Sequence, residues 1–134
     1  MSNATLRTAI QGLLASFTTC PVTQPNEQFV PSSPPAPWVY AEMTGIGADL
    51  LGTGVHNATA QHGFLRLHIM VPFGAGLDQA YSIADELTGF FAAAQPIQTL
   101  QFGAATSPET GATSDDGVYF GVSVSVPYTY WSGT

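Results

Sequence analysis

From Val118 to Tyr130 the chain alternates without a break. Val118, Phe120, Val122, Val124, Val126, Tyr128 and Tyr130 fall on one parity. Tyr119, Gly121, Ser123, Ser125, Pro127 and Thr129 fall on the other. Successive strand side chains point to opposite faces, so this pattern predicts a long strand with one apolar face and one face of small polar groups. The same period runs from 61 to 72. Leu65, Leu67, Ile69 and Val71 share one face, and Phe64, Arg66, His68 and Met70 the other, before Pro72 and the Gly74-Ala75-Gly76 turn. Trp38 to Met43 and Ile97 to Phe102 read as shorter strands.

Two segments switch to the helical period. Leu6, Ile10, Leu13, Leu14 and Phe17 make one stripe over residues 3 to 18, which Pro21 closes. Leu77, Tyr81, Ala84, Leu87 and Phe91 make a second over residues 77 to 94. Asp78 stands in its first turn and Pro96 stops it.

Three stretches show no period. Residues 19 to 37 carry Pro21, Pro25, Pro31, Pro34, Pro35 and Pro37, a stiff extended segment. Residues 44 to 60, with Gly45, Gly47, Gly52 and Gly54, read as a long loop or an extended hairpin arm. Residues 103 to 117 read as a loop with turn chemistry at Asp116-Gly117. The expected fold is a single α+β domain over 1–134. It would hold a three- to four-stranded, mostly antiparallel sheet, with two helices packed on one face and long loops or a hairpin arm.

Charge narrows the function. Only 8% of the 134 residues are charged, against a usual ~25%. The only Lys or Arg residues are Arg7 and Arg66, and the formal net charge is −7. A phosphate backbone is held by many Lys/Arg contacts, so nucleic acid and anionic membrane are poor partners. Few charges and an 11% aromatic fraction fit a surface covered by other subunits. Cys20 is the only cysteine, so no internal disulfide is possible; it reads as a small half-buried hydrophobe. No secretory signal is expected at the start, and no apolar run approaches the ~18 residues of a membrane helix. Asn3-Ala4-Thr5 and Asn57-Ala58-Thr59 match the glycosylation pattern by chance.

No side-chain pattern in the sequence points to catalytic or metal chemistry. His62 and His68 share a strand face but stand about 20 Å apart, too far for one metal, and His56 lies in the aperiodic stretch. Asp85 and Glu86 diverge on a helix. Asp115-Asp116-Gly117 is a turn signature. Phe73-Gly74-Ala75-Gly76 sits where a phosphate loop would, but lacks a third glycine and a Lys-Ser/Thr pair, so it reads as a tight strand-to-helix turn. No catalytic, cofactor or metal residues are expected.

Taken in order, the segments resemble the tail terminator-like proteins of long-tailed bacteriophages and gene transfer agents. The resemblance rests on the opening helix and on Asn26-Glu27-Gln28-Phe29-Val30-Pro31 leading into Pro34-Pro35-Ala36-Pro37-Trp38-Val39. It continues through Gly63-Phe64-Leu65-Arg66-Leu67, Val71-Pro72 with Gly74-Ala75-Gly76, the helix with Ala84-Asp85, and Val122-Ser123-Val124-Ser125-Val126-Pro127-Tyr128. Members often carry more charge in the strands than this chain does.

The resemblance implies a virion protein of the tail and neck, assembled in the host bacterial cytoplasm. It would form a ring of six that caps the tail tube, ends its polymerisation and offers a joining surface to the head-side connector. Its partners would be copies of itself, the tail tube protein and the connector or completion protein. It would be no enzyme and use no cofactor. DNA would pass through the lumen without specific binding, and no membrane would be involved. Subunits with a radius of gyration of ~14 Å leave such a passage when six close a ring. The candidate contact residues lie in the two aperiodic stretches and the C-terminal aromatics: Asp49, Gly52, Gly54, His56, Asp115, Asp116, Tyr128, Tyr130 and Trp131. Another neck or tail-completion subunit of the same particle is the nearest alternative reading. A small-ligand binding domain or hydrolase is the alternative of a different class.

Overall fold

The long alternating stretch becomes one of the two central strands of a sheet. In the computed structural model, which describes residues 3–24, 36–50, 59–74, 76–94, 100–113 and 117–132, the elements run in the order α1 (Asn3–Leu14), β1 (Val22–Thr23), β2 (Trp38–Leu50), β3 (Thr59–Pro72), α2 (Asp78–Ala93), β4 (Leu100–Phe102), β5 (Glu109–Thr113) and β6 (Tyr119–Ser132). The sheet order is β1-β2-β3-β6-β4, with β5 also on β6. Among the described residues only the β1–β2 pair is parallel. The class is α+β, as expected, but the described residues hold six strands where three or four were expected. The additional strands are short and carry no period of their own. β5 forms from Glu-Thr-Gly-Ala-Thr because β6 offers it a backbone edge, which pattern reading cannot see.

The register fixes which face is buried. β3 and β6 pair from Thr59↔Ser132 to Pro72↔Tyr119, setting Leu65, Leu67 and Ile69 opposite Val126, Val124 and Val122. All six are buried, with Val39 and Ala41 of β2 beside them. Leu6, Ile10 and Leu14 of α1 and Ile83, Leu87 and Phe91 of α2 close over this face. Each fully buried Leu, Ile or Val contributes roughly 1.5–3 kcal/mol, so this layer holds the fold.

Both helices differ in detail from their sequence patterns. α1 ends at Leu14, not 18; the chain then tightens into i→i+3 bonds from the Ser16 and Phe17 amides to Leu13 and Leu14. Ser, Phe and Thr are weak helix formers, and the tightened turn still carries Phe17 into the core. In α2 the buried stripe is Ala80, Ile83, Ala84, Leu87 and Phe91. Leu77 and Tyr81, expected inside, are 38% and 41% exposed. With Ala80 and Ala84 at i and i+4 facing the sheet, Tyr81, one position round the helix from Ala80, falls on the outer side. Leu77 stands before the helix.

The ends of β6 also depart from strict alternation. Val118 precedes the strand and is exposed, whereas Tyr119 is buried against Trp38, ring centroids 6.1 Å apart and edge to face. At the other end β2 and β3 run on as a hairpin arm, Gly45↔Gly63 to Leu50↔Thr59, with a register shift between Gly45 and Gly47. The arm reading of residues 44 to 60 is therefore the one that fits; residues 51–58 lie outside the described residues.

Candidate functional site

The uncovered face of the sheet gathers most of the chemistry-bearing side chains. Tyr40, His68 and Ser123 share one cross-strand row, and Glu42, Arg66 and Ser125 the next. His68 Nδ1 lies 2.8 Å from Ser123 Oγ, and its Nε2 lies 2.8 Å from Glu42 Oε1. With the proton on Nε2, the ring donates to the Glu42 carboxylate and the Ser123 hydroxyl donates to Nδ1. The Tyr40 ring lies 6.0 Å from the imidazole. One polar string thus ties β2, β3 and β6 together across the open face.

A Glu-His-Ser string invites comparison with a hydrolase triad, but the backbone argues against one. Ser123 is in mid-strand, paired to His68 on one side and Glu109 on the other. A triad serine sits on a sharp turn beside free amides that can hold an oxyanion. Here the neighbouring amides belong to sheet ladders. The string is structural, and sequence reasoning missed it: His68 looked like a plain surface histidine because its partners are 26 and 55 residues away. His62 shares the open face, with Thr129 Oγ1 3.4 Å from its Nδ1. Among the described residues, no group of three His, Cys, Asp or Glu side chains is placed to hold a metal ion. No described helix is long and apolar enough to cross a membrane.

The strand-to-helix turn is no anion site. Gly74 and Gly76 adopt positive φ of 88° and 83°, which is what their glycines are for. Leu77 offers no side-chain cap, Asp78 in the first turn would repel an anion, and the adjoining groove is lined by Pro72, Phe73, Leu77 and Phe120. The Phe73 amide donates to the Val118 carbonyl at 2.8 Å, fixing the backbone while its ring stands 61% exposed. Phe73, Leu77, Tyr81 and Val118 are the exposed large hydrophobic residues of the described chain.

The predicted contact residues are scattered. Asp49 lies on the β2 side of the arm. Gly52, Gly54, His56, Asp115 and Asp116 lie outside the described residues. Tyr128 and Tyr130 point into the core, 6% and 2% exposed, whereas Trp131 is half-buried opposite Ala60. Tyr128 lies against Gly63: a Cβ there would come 2.6 Å from the phenol oxygen and 2.5 Å from the Thr44 carbonyl oxygen. Burial pushes the Tyr128 phenol pKa up. Cys20 is half-buried, as expected; burial, and secondarily the Glu86 carboxylate, push its pKa to about 11.

Both sides of the molecule carry both signs of charge: Glu42 and Arg66 on the open face, and Arg7 of α1 with the acids of α2 on the covered side. Asp78, Asp85 and Glu86 are exposed on α2, and Arg66 stands exposed on the open face between His68 and Phe64. Neither side collects the cations that a nucleic-acid groove requires.

Comparison with known proteins agrees with an assembly surface rather than a reaction centre. One solved structure superposes over 97% of this chain and 96% of its own, with a TM-score of 0.57 at 22% identity, a likeness of fold alone. No curated protein matches the sequence significantly. The family model described as phage tail terminator protein matches residues 3–128. These are structural proteins of the virion tail, not enzymes, and they work against other tail or head components. With nearly the whole chain matched, the protein belongs to the phage tail terminator family.

Proposed function

We propose that this chain ends the tail. Six copies close a ring on the head-proximal end of the tail tube, stop its polymerisation and present the joining surface for the head-side connector. Residues 1–134 act as a single domain, assembled in the host cytoplasm, and DNA passes through the lumen without specific binding. The family match over residues 3–128 is the observation that carries this reading. A chain with only 8% charged residues, and no cationic groove among its described residues, supports it physically.

Tails made without this protein should vary in length and lack heads when imaged by electron microscopy. Tails made with it should show one ring, with native mass spectrometry of the released ring giving six copies. Uniform, head-bearing particles in the absence of the protein would sink the reading.

The arm is the first place to look for the contact with the tube or a neighbouring copy. Because β2 and β3 pair out to Leu50↔Thr59, the informative change replaces residues 51–58, with Gly52, Gly54 and His56, by a two-residue Asn-Gly turn. The shortened protein should melt like the parent yet fail to cap tails. Full titre would move the search to Asp49, Asp115, Asp116 and Trp131. Tyr128 and Tyr130 would support that surface from inside the core.

A further inference from the structure

We infer that neighbouring copies in the ring join by a knob and a hole: Phe73 of one copy enters the cleft between α1 and β2 of the next. This rests on the ring reading above and names its contact. The knob is Phe73, 61% exposed on a turn whose backbone is pinned to Val118, with Leu77 in the same groove and the exposed Asp78 five residues on, in the first turn of α2. The hole is a cleft of about 180 Å³ lined by Ile10, Leu14, Ala41, Met43 and Leu65, with Arg7 and Gln24 as its polar lining. Its lining includes four core residues with little exposure, so it is apolar and already formed.

Three observations point to a second copy as the occupant. First, the knob cannot fill its own hole. Leu65 and Pro72 are seven residues apart on β3, about 23 Å along the strand. Two different patches that fit each other make a heterologous contact, the kind that closes rings. Second, the charges match. Arg7 is one of two cations in a chain of net charge −7, and it stands in the lining of the hole. Arg7, which also donates to Gln11 Oε1 at 3.1 Å, would present its cation to the entering Phe73 ring and to Asp78 at the rim of the contact. The cleft beside Cys20 is lined by Glu86 and would repel the same carboxylate; the one along Gln11, Phe17 and Pro21 offers no cation. Third, the area is right for a ring contact and wrong for a free dimer. Phe73, Leu77, Tyr81 and Val118 expose on the order of 300 Å², against roughly 800 Å² per partner in a stable pair. Such a contact holds when neighbours on both sides close the ring.

The test replaces Phe73 by the photoreactive benzoylphenylalanine and irradiates assembled tails. The expected product is a covalent dimer of this chain, with the crosslink mapping to residues 7–14 or 41–43. A crosslink into the tail tube protein, or elsewhere on this chain, overturns the inference. In parallel, Phe73→Asp should melt like the parent, since its ring is largely solvent-exposed, yet remove rings from tails and lower infectious titre at least tenfold. Phe73→Leu should retain most of both. Rings that persist on tails carrying Phe73→Asp overturn the knob and leave the ring reading standing. Parent tails without any ring of this protein overturn both.

Discussion

The two faces of the β3–β6 pair are made by the same residues in alternation, yet they are stabilised in different ways. On the covered face, Leu65, Leu67, Ile69, Val122, Val124 and Val126 meet the helices and exclude water almost completely. On the open face the same strands present Arg66, His68, Ser123 and Ser125, and hydrogen bonds of 2.8 Å link His68 to Glu42 of β2 and to Ser123. Burial is non-directional and scales with area, so any apolar residue of the right size would serve on the first face. The polar string works only with these partners at this register. The covered face therefore determines that the sheet forms, and the open face adds a check on which strands lie side by side.

The largest effect should come from the covered face. Leu67 is fully buried between β2 and β6 under the helices. Leu67→Ala should cost ~2–5 kcal/mol, read as a clear fall in melting temperature. Unchanged melting would mean that the faces are assigned the wrong way round.

Next comes the junction where the body passes into the arm. Gly63→Ala places a methyl group against the Thr44 carbonyl and the Tyr128 ring, a cost of ~1–3 kcal/mol from overpacking. Tyr128→Phe should not rescue it, because the carbonyl and the ring carbon remain in the way. Rescue in a double variant would show that only the hydroxyl is tight and that the strands can part.

On the open face the effect is smaller. His68→Ala should cost ~0.5–1.5 kcal/mol. A double-mutant cycle of His68→Ala with Glu42→Ala should give a coupling energy, whereas one with the distant Asp85→Ala should be additive. Additivity in both cycles would reduce the string to two solvated side chains that happen to be near one another.

The same contrast explains what could be read from the chain in advance. The covered face was legible because alternation and the 3.6-residue period are local signals. Leu65, Leu67, Ile69 and the β6 valines were placed correctly, as were Leu87 and Phe91. What failed depended on contacts far away in the chain. The burial of Tyr119 depends on Trp38, 81 positions earlier, and β5 exists because β6 has a free edge. Leu77 and Tyr81 fit a helical stripe, but the buried stripe starts at Ala80, Ile83 and Ala84 and leaves both outside it. As a result the apolar surface at Phe73 is not visible in the pattern: Leu77, Tyr81 and Val118 read as buried, and Phe73 reads only as part of a turn. The Glu42–His68–Ser123 string was illegible for a related reason: an isolated histidine on a polar face gives no hint of a carboxylate and a hydroxyl on two other strands.

Cys20 sharpens the comparison at its edge, where the covered side meets solvent beside Pro21 and Glu86. Its folded-state pKa is raised, to about 11, because burial and then the nearby Glu86 carboxylate disfavour the thiolate. A thiol ordinarily ionises near 9. The unfolded chain therefore loses this proton before the folded one does. The stabilisation is fully present below about pH 9 and is lost as pH rises toward about 11. Cys20→Ala should remove that part of the alkaline decline in melting temperature while changing the neutral value little, because a half-exposed edge residue contributes modestly to packing. Glu86→Gln should remove only the smaller part, since the carboxylate is the lesser cause. Alkylation by iodoacetamide at pH 8 should likewise run several-fold slower on the folded protein than on the unfolded chain. If Cys20→Ala leaves the profile between pH 9 and 11 unchanged, the thiol is as well solvated as the open-face side chains. The covered side would then end before Cys20, at Phe17.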